Sequence, residues 1–327
     1  MILEFLKENL INPSTNKRCK SFGDSALEFD CGNTFKVFNN TPILINESES
    51  IFKLEDILEK VPTAQNSNYR SNSLKNVFRK KILPSLSKDF NYTNRYNQLA
   101  EKFKGKNILI IGAGDKVDFY NRVFEKSLVI TSDVHLQFNP DIVFDAHQIP
   151  FKEASFDLII ASQVLEHTLK PWVVSSEMER VVKMDGYLLV EVPFSFPYHS
   201  PPYDFFRFTF TGLRSLFSKC SLYSFEASEG SASSMATFNA QFFIDLFSNR
   251  YLRIVVLFIT RFLFGWMKYF DLLKRTSTFL SIFSPMGFSM IFKRDEIKRT
   301  NIDLLNEFYN LKSSNEIHDN HTRSSSL

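Results

Sequence analysis

The sequence predicts an α/β fold with a doubly wound, mostly parallel sheet of seven strands in a Rossmann-like arrangement. Three observations support this prediction. From Lys106 onwards, short apolar runs alternate with helical stretches, a glycine turn follows the first run, and acidic residues end the next two. Such alternation is typical of parallel sheets whose faces are both covered by helices. We therefore expect a ligand crevice at the carboxyl ends of the strands.

The chain divides into six segments by composition. We expect a small amino-terminal module (1–50), a linker and helical lead-in (51–103) with its most polar part at 66–73, a core (104–225), an apolar helical insertion (226–285), the last core strand (286–294) and a polar tail that frays (295–327). The predicted strands are 107–111, 128–132, 141–144, 156–161, 187–192 and 287–292.

The first core strand ends in a glycine turn, Gly112-Ala113-Gly114. Glycine lets the backbone approach a ligand closely, although such turns are also made for purely structural reasons. A nicotinamide enzyme is disfavoured because Val117 stands where the dinucleotide fingerprint requires a third glycine. Asp133 closes the second strand and Asp145 the third, so these groups should converge on one crevice.

This set of motifs resembles the class I S-adenosylmethionine-dependent methyltransferases, in the type 11 subgroup that includes ubiquinone and menaquinone methyltransferases. The matching residues are Ile111–Gly114, Asp133, Asp145–Phe151, Phe156–Ile160, Val164–His167, Glu177, Arg180–Lys183 and Gly186. The resemblance covers residues 104–217 and implies S-adenosylmethionine as cofactor.

The resemblance also implies roles for single residues. Gly112 and Gly114 would face the methionine part of the cofactor and Asp133 its ribose. Asp145 and the amide of Ala146 would read the adenine. Ala113 and Ser162 complete the expected cofactor-binding set. Glu166 and His167 would mainly organise the loop after the fourth strand.

The loop after the fifth strand, residues 193–209, contains four prolines and is expected to bind the methyl acceptor. His199, Tyr203, Asp204 and Arg207 are the candidate catalytic residues, with His199 the best candidate base for a hydroxyl acceptor. Alternatively, Asp204 and Arg207 form a local ion pair that caps the following helix. Similar loops in resembling methyltransferases are associated with bacterial surface-polysaccharide synthesis, which favours a sugar or lipid-linked glycan.

Residues 29–45 resemble part of the zinc-ribbon-like domain that activates some tRNA methyltransferases. Asn12 stands where the first cysteine is expected, so a four-cysteine site cannot form, and we expect a docking module without metal. The three cysteines are widely spaced and odd in number, which favours a reducing cytoplasm. The amino-terminal residues lack the pattern of a secretory signal.

The apolar segment 242–275 has no uncharged run long enough to span a bilayer. Its cations, Arg250, Arg253, Arg261, Lys268 and Arg275, recur at helical spacing and would form one stripe opposite Phe258, Phe262 and Trp266. Such a helix can lie in an anionic membrane surface, which would place the protein at the inner membrane face. Alternatively, it covers the sheet or a second subunit.

The leading hypothesis is therefore an enzyme that methylates a small-molecule, glycan or lipid-linked acceptor. RNA methylation is an alternative suggested by the amino-terminal module, but 39 basic against 36 acidic residues give a net charge of only +3, which makes a nucleic-acid partner less favoured. A further alternative is a catalytically degenerate binding protein, because Ile110 and Lys116 replace an acid and a glycine common in the resembling family.

Overall fold

The computed structural model describes residues 1–63, 84–273 and 278–311. The predicted polar linker 66–73 and Arg275 lie outside these ranges. The amino-terminal unit contains α1 (Ile2–Asn9), β1 (Cys19–Phe22), β2 (Ala26–Phe29), β3 (Thr34–Phe38), β4 (Thr41–Leu44) and α2 (Leu54–Leu58). Its four strands pair in order as an antiparallel meander.

The core strands are β5 (Asn107–Ile111), β6 (Leu128–Thr131), β7 (Val143–Phe144), β8 (Phe156–Ser162), β9 (Val182–Pro193), β10 (Cys220–Ala227) and β11 (Gly287–Arg294). Six of them form one sheet in the order β10-β11-β9-β8-β5-β6. Strands β6, β5, β8 and β9 run parallel, and β11 is antiparallel to both of its neighbours. This confirms the α/β prediction.

The expected seven-stranded sheet differs from the observed one at its edge. Strand β7 pairs in parallel with β4 of the amino-terminal unit. One isolated bridge, between Ser132 and Ile142, links β7 to the end of β6. The amino-terminal meander therefore extends the core sheet. The sequence did not indicate this because β-pairing between distant segments leaves no local pattern.

The core helices are α3 (Tyr92–Lys102), α4 (Val117–Val123), α5 (Pro171–Val181) and α6 (Phe210–Ser215). Side chains of β5 alternate between two apolar clusters, because successive residues of a strand point to opposite faces. Ile108 and Ile110 pack with residues of α3 and α4, whereas Leu109 and Ile111 lie in the cluster that contains α5 residues. Burial on both faces fits the apolar run that predicted this strand.

The insertion forms two helices, α7 (Ser231–Asp245) and α8 (Arg250–Phe264), which pack against each other. The predicted cationic stripe is wrong in part, because α8 ends before Lys268. Lys268 is buried in the following 3-10 turn and donates a hydrogen bond to the carbonyl oxygen of Ser85 at 2.7 Å. Within the described part of the chain, no helix is long and apolar enough to cross a bilayer.

The expectation that the tail frays is wrong for residues 301–311, which form helix α9. The carboxylate of Glu307 contacts the buried guanidinium of Arg214 at 2.7 Å, and Phe308 packs against the core. Residues 312–327 lie outside the described ranges. Strand β10 was also missed by the sequence analysis, because the residues between its two buried ends are half-buried or exposed and form no continuous apolar run.

Candidate functional site

The glycine turn after β5 takes the conformation for which glycine is needed. Gly112 has φ +65° and Gly114 has φ +54°. A Cβ atom on Gly112 would lie 2.6 Å from Cγ2 of Val164, whereas a Cβ on Gly114 would meet no atom within 4 Å. The amide of Ala113 donates to the carbonyl oxygen of Ser132 at 2.8 Å. Gly112 is thus packed against the segment after β8, and Gly114 borders open space.

Asp133 ties the glycine turn to the second core strand. Its carboxylate is buried, and Oδ2 accepts a hydrogen bond from the amide of Gly114 at 2.9 Å. Oδ1 accepts one from the amide of His135 at 2.9 Å. A carboxylate has about four acceptor positions. Asp133 therefore retains acceptor capacity, and its contact with a ribose stays a prediction.

Asp145 follows β7, next to Ala146, and receives a partner from the amino-terminal unit. Ser50 donates to Oδ2 at 2.6 Å, and the backbone amide of His147 donates to Oδ1 at 3.0 Å. Burial raises the pKa of Asp145, but hydrogen bonds from His147 and Ser50 outweigh it and leave the pKa below its usual value. Ser50 was not found by sequence analysis because it lies 95 positions away from Asp145.

A buried polar cluster surrounds Ser162 at the end of β8. Ser162 donates to Oε2 of Glu191 at 2.6 Å, and Arg95 of α3 contacts Oε1 of the same glutamate at 2.7 Å. Arg95 also contacts Asp89 and, at 2.5 Å, Glu226. Three carboxylates thus surround one guanidinium. Burial raises the pKa of Asp89 despite the neighbouring Arg95.

The proline loop that follows β9 is held together by Arg207 and Asp204. The two side chains form a bidentate pair with N–O distances of 2.6 and 2.7 Å, and the carboxylate of Asp204 is fully buried. The remaining N–H groups of Arg207 donate to backbone carbonyl oxygens of Phe196, Pro197 and Phe206. The pair therefore shapes the loop. The cap of α6 is Thr209, whose hydroxyl accepts from Gly212, so the alternative assignment of Asp204 and Arg207 to this cap is wrong.

His199 and Tyr203 lie in the same loop. The backbone amide of His199 donates to Asp204 at 2.7 Å, and its side chain remains 30% exposed. Burial lowers the pKa of His199 despite the nearby Asp204, so the ring is neutral near pH 7. The carbonyl oxygen of Tyr203 accepts a hydrogen bond from Nδ1 of His167. Contact of His199, Tyr203, Asp204 or Arg207 with an acceptor stays a prediction.

Glu166 and His167 fasten this loop to the segment that follows β8. The carbonyl oxygen of Glu166 accepts from the amides of Phe205 and Phe206 at 2.7 and 3.3 Å. The side chain of Glu166 is fully buried, and neither carboxylate oxygen has a hydrogen-bond partner. Burial raises the pKa of Glu166 to about 8. The backbone of Glu166 thus holds the proline loop, whereas the resemblance implied a role in the loop after the fourth strand, and the carboxylate has no hydrogen-bond partner.

Asn12 of the amino-terminal unit is buried and acts as the centre of a turn. Its Oδ1 accepts from the amides of Ser14 and Thr15, and its Nδ2 donates to Sγ of Cys31 at 3.4 Å. The side-chain amide of Asn12 thus joins this turn to Cys31. The metal-free docking module stays a prediction.

The chain was compared with family models, curated proteins and solved structures. A family model described as a methyltransferase domain matches residues 124–190. No curated protein matches the chain. Among solved structures, an S-adenosylmethionine-dependent methyltransferase from Mesorhizobium loti is 12% identical, covers 62% of this chain and 96% of its own, and has a TM-score of 0.38.

Two further solved structures are similar. The 1,6-didemethyltoxoflavin-N1-methyltransferase of Burkholderia thailandensis is 10% identical, with 83% of this chain and 100% of its own covered and a TM-score of 0.40. A phosphoethanolamine N-methyltransferase of Haemonchus contortus is 14% identical, with 72% and 61% covered and a TM-score of 0.40. The matched segment spans β6, β7, β8 and most of β9, and it leaves out β5 and the glycine turn that follows it. Residues 124–190 of this chain are therefore similar to a methyltransferase domain.

Proposed function

We propose that this enzyme transfers the methyl group of S-adenosylmethionine to a small-molecule, glycan or lipid-linked acceptor bound at the proline loop, residues 193–209. The observation that carries the proposal is the attachment of this loop to the segment after β8. The amide of Phe205 donates to Glu166, and His167 donates to the carbonyl oxygen of Tyr203. The loop therefore lies beside the carboxyl ends of the strands, where open α/β sheets bind ligands.

Several residues fit the cofactor. The space above Gly114 would admit its methionine part, and Asp133 has acceptor capacity left for the ribose hydroxyls. Asp145 and Ala146 would read the adenine. Ser162 contacts the acidic cluster around Glu191, which favours a ligand with positive charge. S-adenosylmethionine supplies that charge as a sulfonium, which loses its methyl group to the acceptor nucleophile.

On the acceptor side, the loop residues have two kinds of role. Asp204 and Arg207 position the loop, because their hydrogen bonds stay within it. His199 and Tyr203 lie where an acceptor would bind. Holding the acceptor in line with the methyl group supplies much of the barrier reduction in such a transfer, and a displacement of about 1 Å can cost on the order of a hundredfold in rate.

The test separates cofactor binding from methyl transfer. In Arg207→Ala, we expect the affinity for S-adenosylmethionine, measured by calorimetry, to stay within about twofold while the rate of transfer falls by on the order of a hundredfold. Arg122→Ala, which removes an exposed arginine of α4, is the control. Normal turnover by the folded Arg207→Ala variant would contradict the acceptor assignment.

A labelling experiment in cell extract identifies the chemical class of the acceptor. Methyl-labelled cofactor is incubated with the enzyme and a cell extract, which is then separated into glycolipid, soluble glycan, RNA and small molecules. Label in the glycolipid or glycan fraction supports surface-polysaccharide synthesis, whereas label in RNA supports the alternative acceptor. Cofactor binding without label in any fraction would support a binding protein.

We also propose that helices α7 and α8 contact an anionic membrane surface. Their outer surface exposes large apolar side chains, among them Phe242 at 62%, Phe262 at 62% and Leu246 at 60%. Arg250 and Arg253 lie near the start of α8, and basic residues near an anionic surface contribute about 1 kcal/mol each. A peripheral position at the inner membrane face would bring the loop close to lipid-linked acceptors.

Vesicle sedimentation tests this membrane contact. We expect binding to phosphatidylglycerol vesicles that weakens with salt, and little binding to phosphatidylcholine vesicles. Phe262→Ser should reduce the binding, whereas Trp172→Ser, which changes a ring 56% exposed on α5, should not. Equal binding to both vesicle types, or self-association through α7 and α8 in sedimentation velocity, would contradict the proposal.

A further inference from the structure

We propose that Glu166, His167 and His199 form a binding site for a divalent transition-metal ion, with zinc the best fit. A carboxylate oxygen of Glu166 and one ring nitrogen of each histidine lie within 4.8 Å of one another. The three residues come from two segments, the short helix after β8 and the proline loop. Glu166 and His167 are adjacent in sequence, and His199 lies 33 positions after Glu166. The fold brings the three groups together.

The first supporting observation is the carboxylate of Glu166. It is fully buried and both of its oxygens lack a hydrogen-bond partner. Burying a polar group without a hydrogen-bond partner is unfavourable even when the group is neutral, and the carboxylates that are buried in proteins are paired or coordinate metals. A cation bound between Glu166 and the two histidines would satisfy this group.

The second observation is the orientation of the two imidazoles. Nδ1 of His167 donates to the carbonyl oxygen of Tyr203, which leaves Nε2 without a proton and 3.9 Å from Oε1 of Glu166. Nδ1 of His199 lies 3.2 Å from Oδ2 of Asp204, with Arg207 at 3.3 Å. His167 uses its other ring nitrogen as metal-ligating histidines commonly do, toward a carbonyl oxygen, and His199 would do the same toward Asp204 in the tautomer that carries the proton on Nδ1.

The ligand types select the ion. Two imidazoles and one carboxylate with an open position are a known catalytic zinc set, whereas magnesium prefers oxygen ligands. Zinc bonds of about 2.0–2.2 Å require ligand atoms about 3.4 Å apart, so the side chains must close by on the order of 1 Å. The side chain of His199 is 30% exposed, so it has room to move and the ion could reach the site from solvent.

Metal binding at this site does not depend on the proposed function. A role of the metal in methyl transfer does rest on it. Val164, two positions before Glu166, contacts the glycine turn, so the metal would lie on the side of the crevice that faces the loop. Its open position would bind an acceptor hydroxyl and favour loss of the hydroxyl proton, since bound zinc lowers the pKa of water to about 7. His199 would then be a ligand rather than the base.

The test measures metal binding by the full chain. After chelation, zinc is titrated by calorimetry and cobalt by its visible absorption. We expect one ion per chain, and at least about a tenfold loss of affinity in Glu166→Gln and in His199→Gln, since even indirect changes at metal sites cost about 10 to 100-fold. The control Cys31→Ser, which changes an exposed cysteine of the amino-terminal unit, should bind as the wild type does.

Two outcomes would overturn the proposal. One is no zinc binding by the wild type at micromolar concentrations, and the other is affinity that survives both substitutions. Thermal denaturation adds a readout independent of activity, because zinc should raise the melting temperature of the wild type and leave that of Glu166→Gln unchanged. Methyl transfer that persists in fully chelated enzyme would overturn the catalytic role and leave the proposed function standing.

Discussion

Substituting alanine for each glycine of the first turn separates a packing role from a cofactor role. Both Gly112 and Gly114 have positive φ, so alanine at either position costs about 1–2 kcal/mol for the left-handed backbone. At Gly112 the new Cβ would also lie 2.6 Å from Val164, and overpacking adds about 1–3 kcal/mol. We therefore expect Gly112→Ala to lose about 2–5 kcal/mol of unfolding free energy.

Gly114→Ala is the matched control for stability and the test for cofactor contact. Its Cβ would meet no protein atom within 4 Å, so its loss of unfolding free energy should stay near 1–2 kcal/mol, about the backbone cost alone. Because the added methyl group would meet no protein atom, we would attribute a loss of affinity for S-adenosylmethionine to contact between this methyl group and the bound cofactor. We expect a dissociation constant about tenfold higher, equivalent to about 1.4 kcal/mol.

Urea denaturation and calorimetry measure these two effects. Equal losses of unfolding free energy in both variants would refute the contact between Gly112 and Val164. An affinity of Gly114→Ala equal to that of the wild type would remove Gly114 from the cofactor site.

Three further predictions concern buried polar groups. Asp133→Ala should raise the dissociation constant for the cofactor by about tenfold or more, because a charge-assisted hydrogen bond contributes about 1.5–3 kcal/mol, and an unchanged constant in calorimetry would contradict it. Tyr96→Phe removes a buried hydroxyl that donates to Glu191 at 3.0 Å, and should cost about 1–3 kcal/mol in urea denaturation without changing the fold seen by circular dichroism. Burial raises the pKa of Glu229 to about 7, so the protonated form is favoured in the folded state and stability should fall as pH rises from about 4.5 through 7. Glu229→Gln should lessen that fall and leave the part due to Glu166, whose pKa is also raised, and melting temperatures across this pH range would show the difference.

The fold could be predicted where local pattern and tertiary environment agree. Strand β5 was predicted with its observed bounds because all but its first residue are buried, which makes the run apolar throughout. Strand β10 has half-buried and exposed residues between its two buried ends and was missed. Helix α9 was taken for a fraying tail, since its stability comes from the distant partner Arg214 and from the packing of Phe308.

The candidate site shows the same division. Gly112, Gly114 and Asp133 could be proposed from the sequence because each lies just after the end of a predicted strand, where open α/β sheets bind ligands. The partners that complete the site lie far away in sequence, as Ser50 does for Asp145 and Arg95 does for Glu191. No spacing rule connects such pairs, because only the folded sheet brings them together.

Glu166 shows most clearly why a motif does not determine a role. The resemblance assigned it to the loop after the fourth strand, whereas in the structure its carbonyl oxygen holds the proline loop through the amides of Phe205 and Phe206. Any residue supplies a carbonyl oxygen, so loop organisation does not explain a carboxylate that is fully buried and unpartnered. Glu166→Gln keeps the carbonyl oxygen and nearly the same shape, so a purely organising residue should tolerate it. Loss of zinc binding or of methyl transfer in a folded Glu166→Gln variant would therefore assign the function to the carboxylate itself.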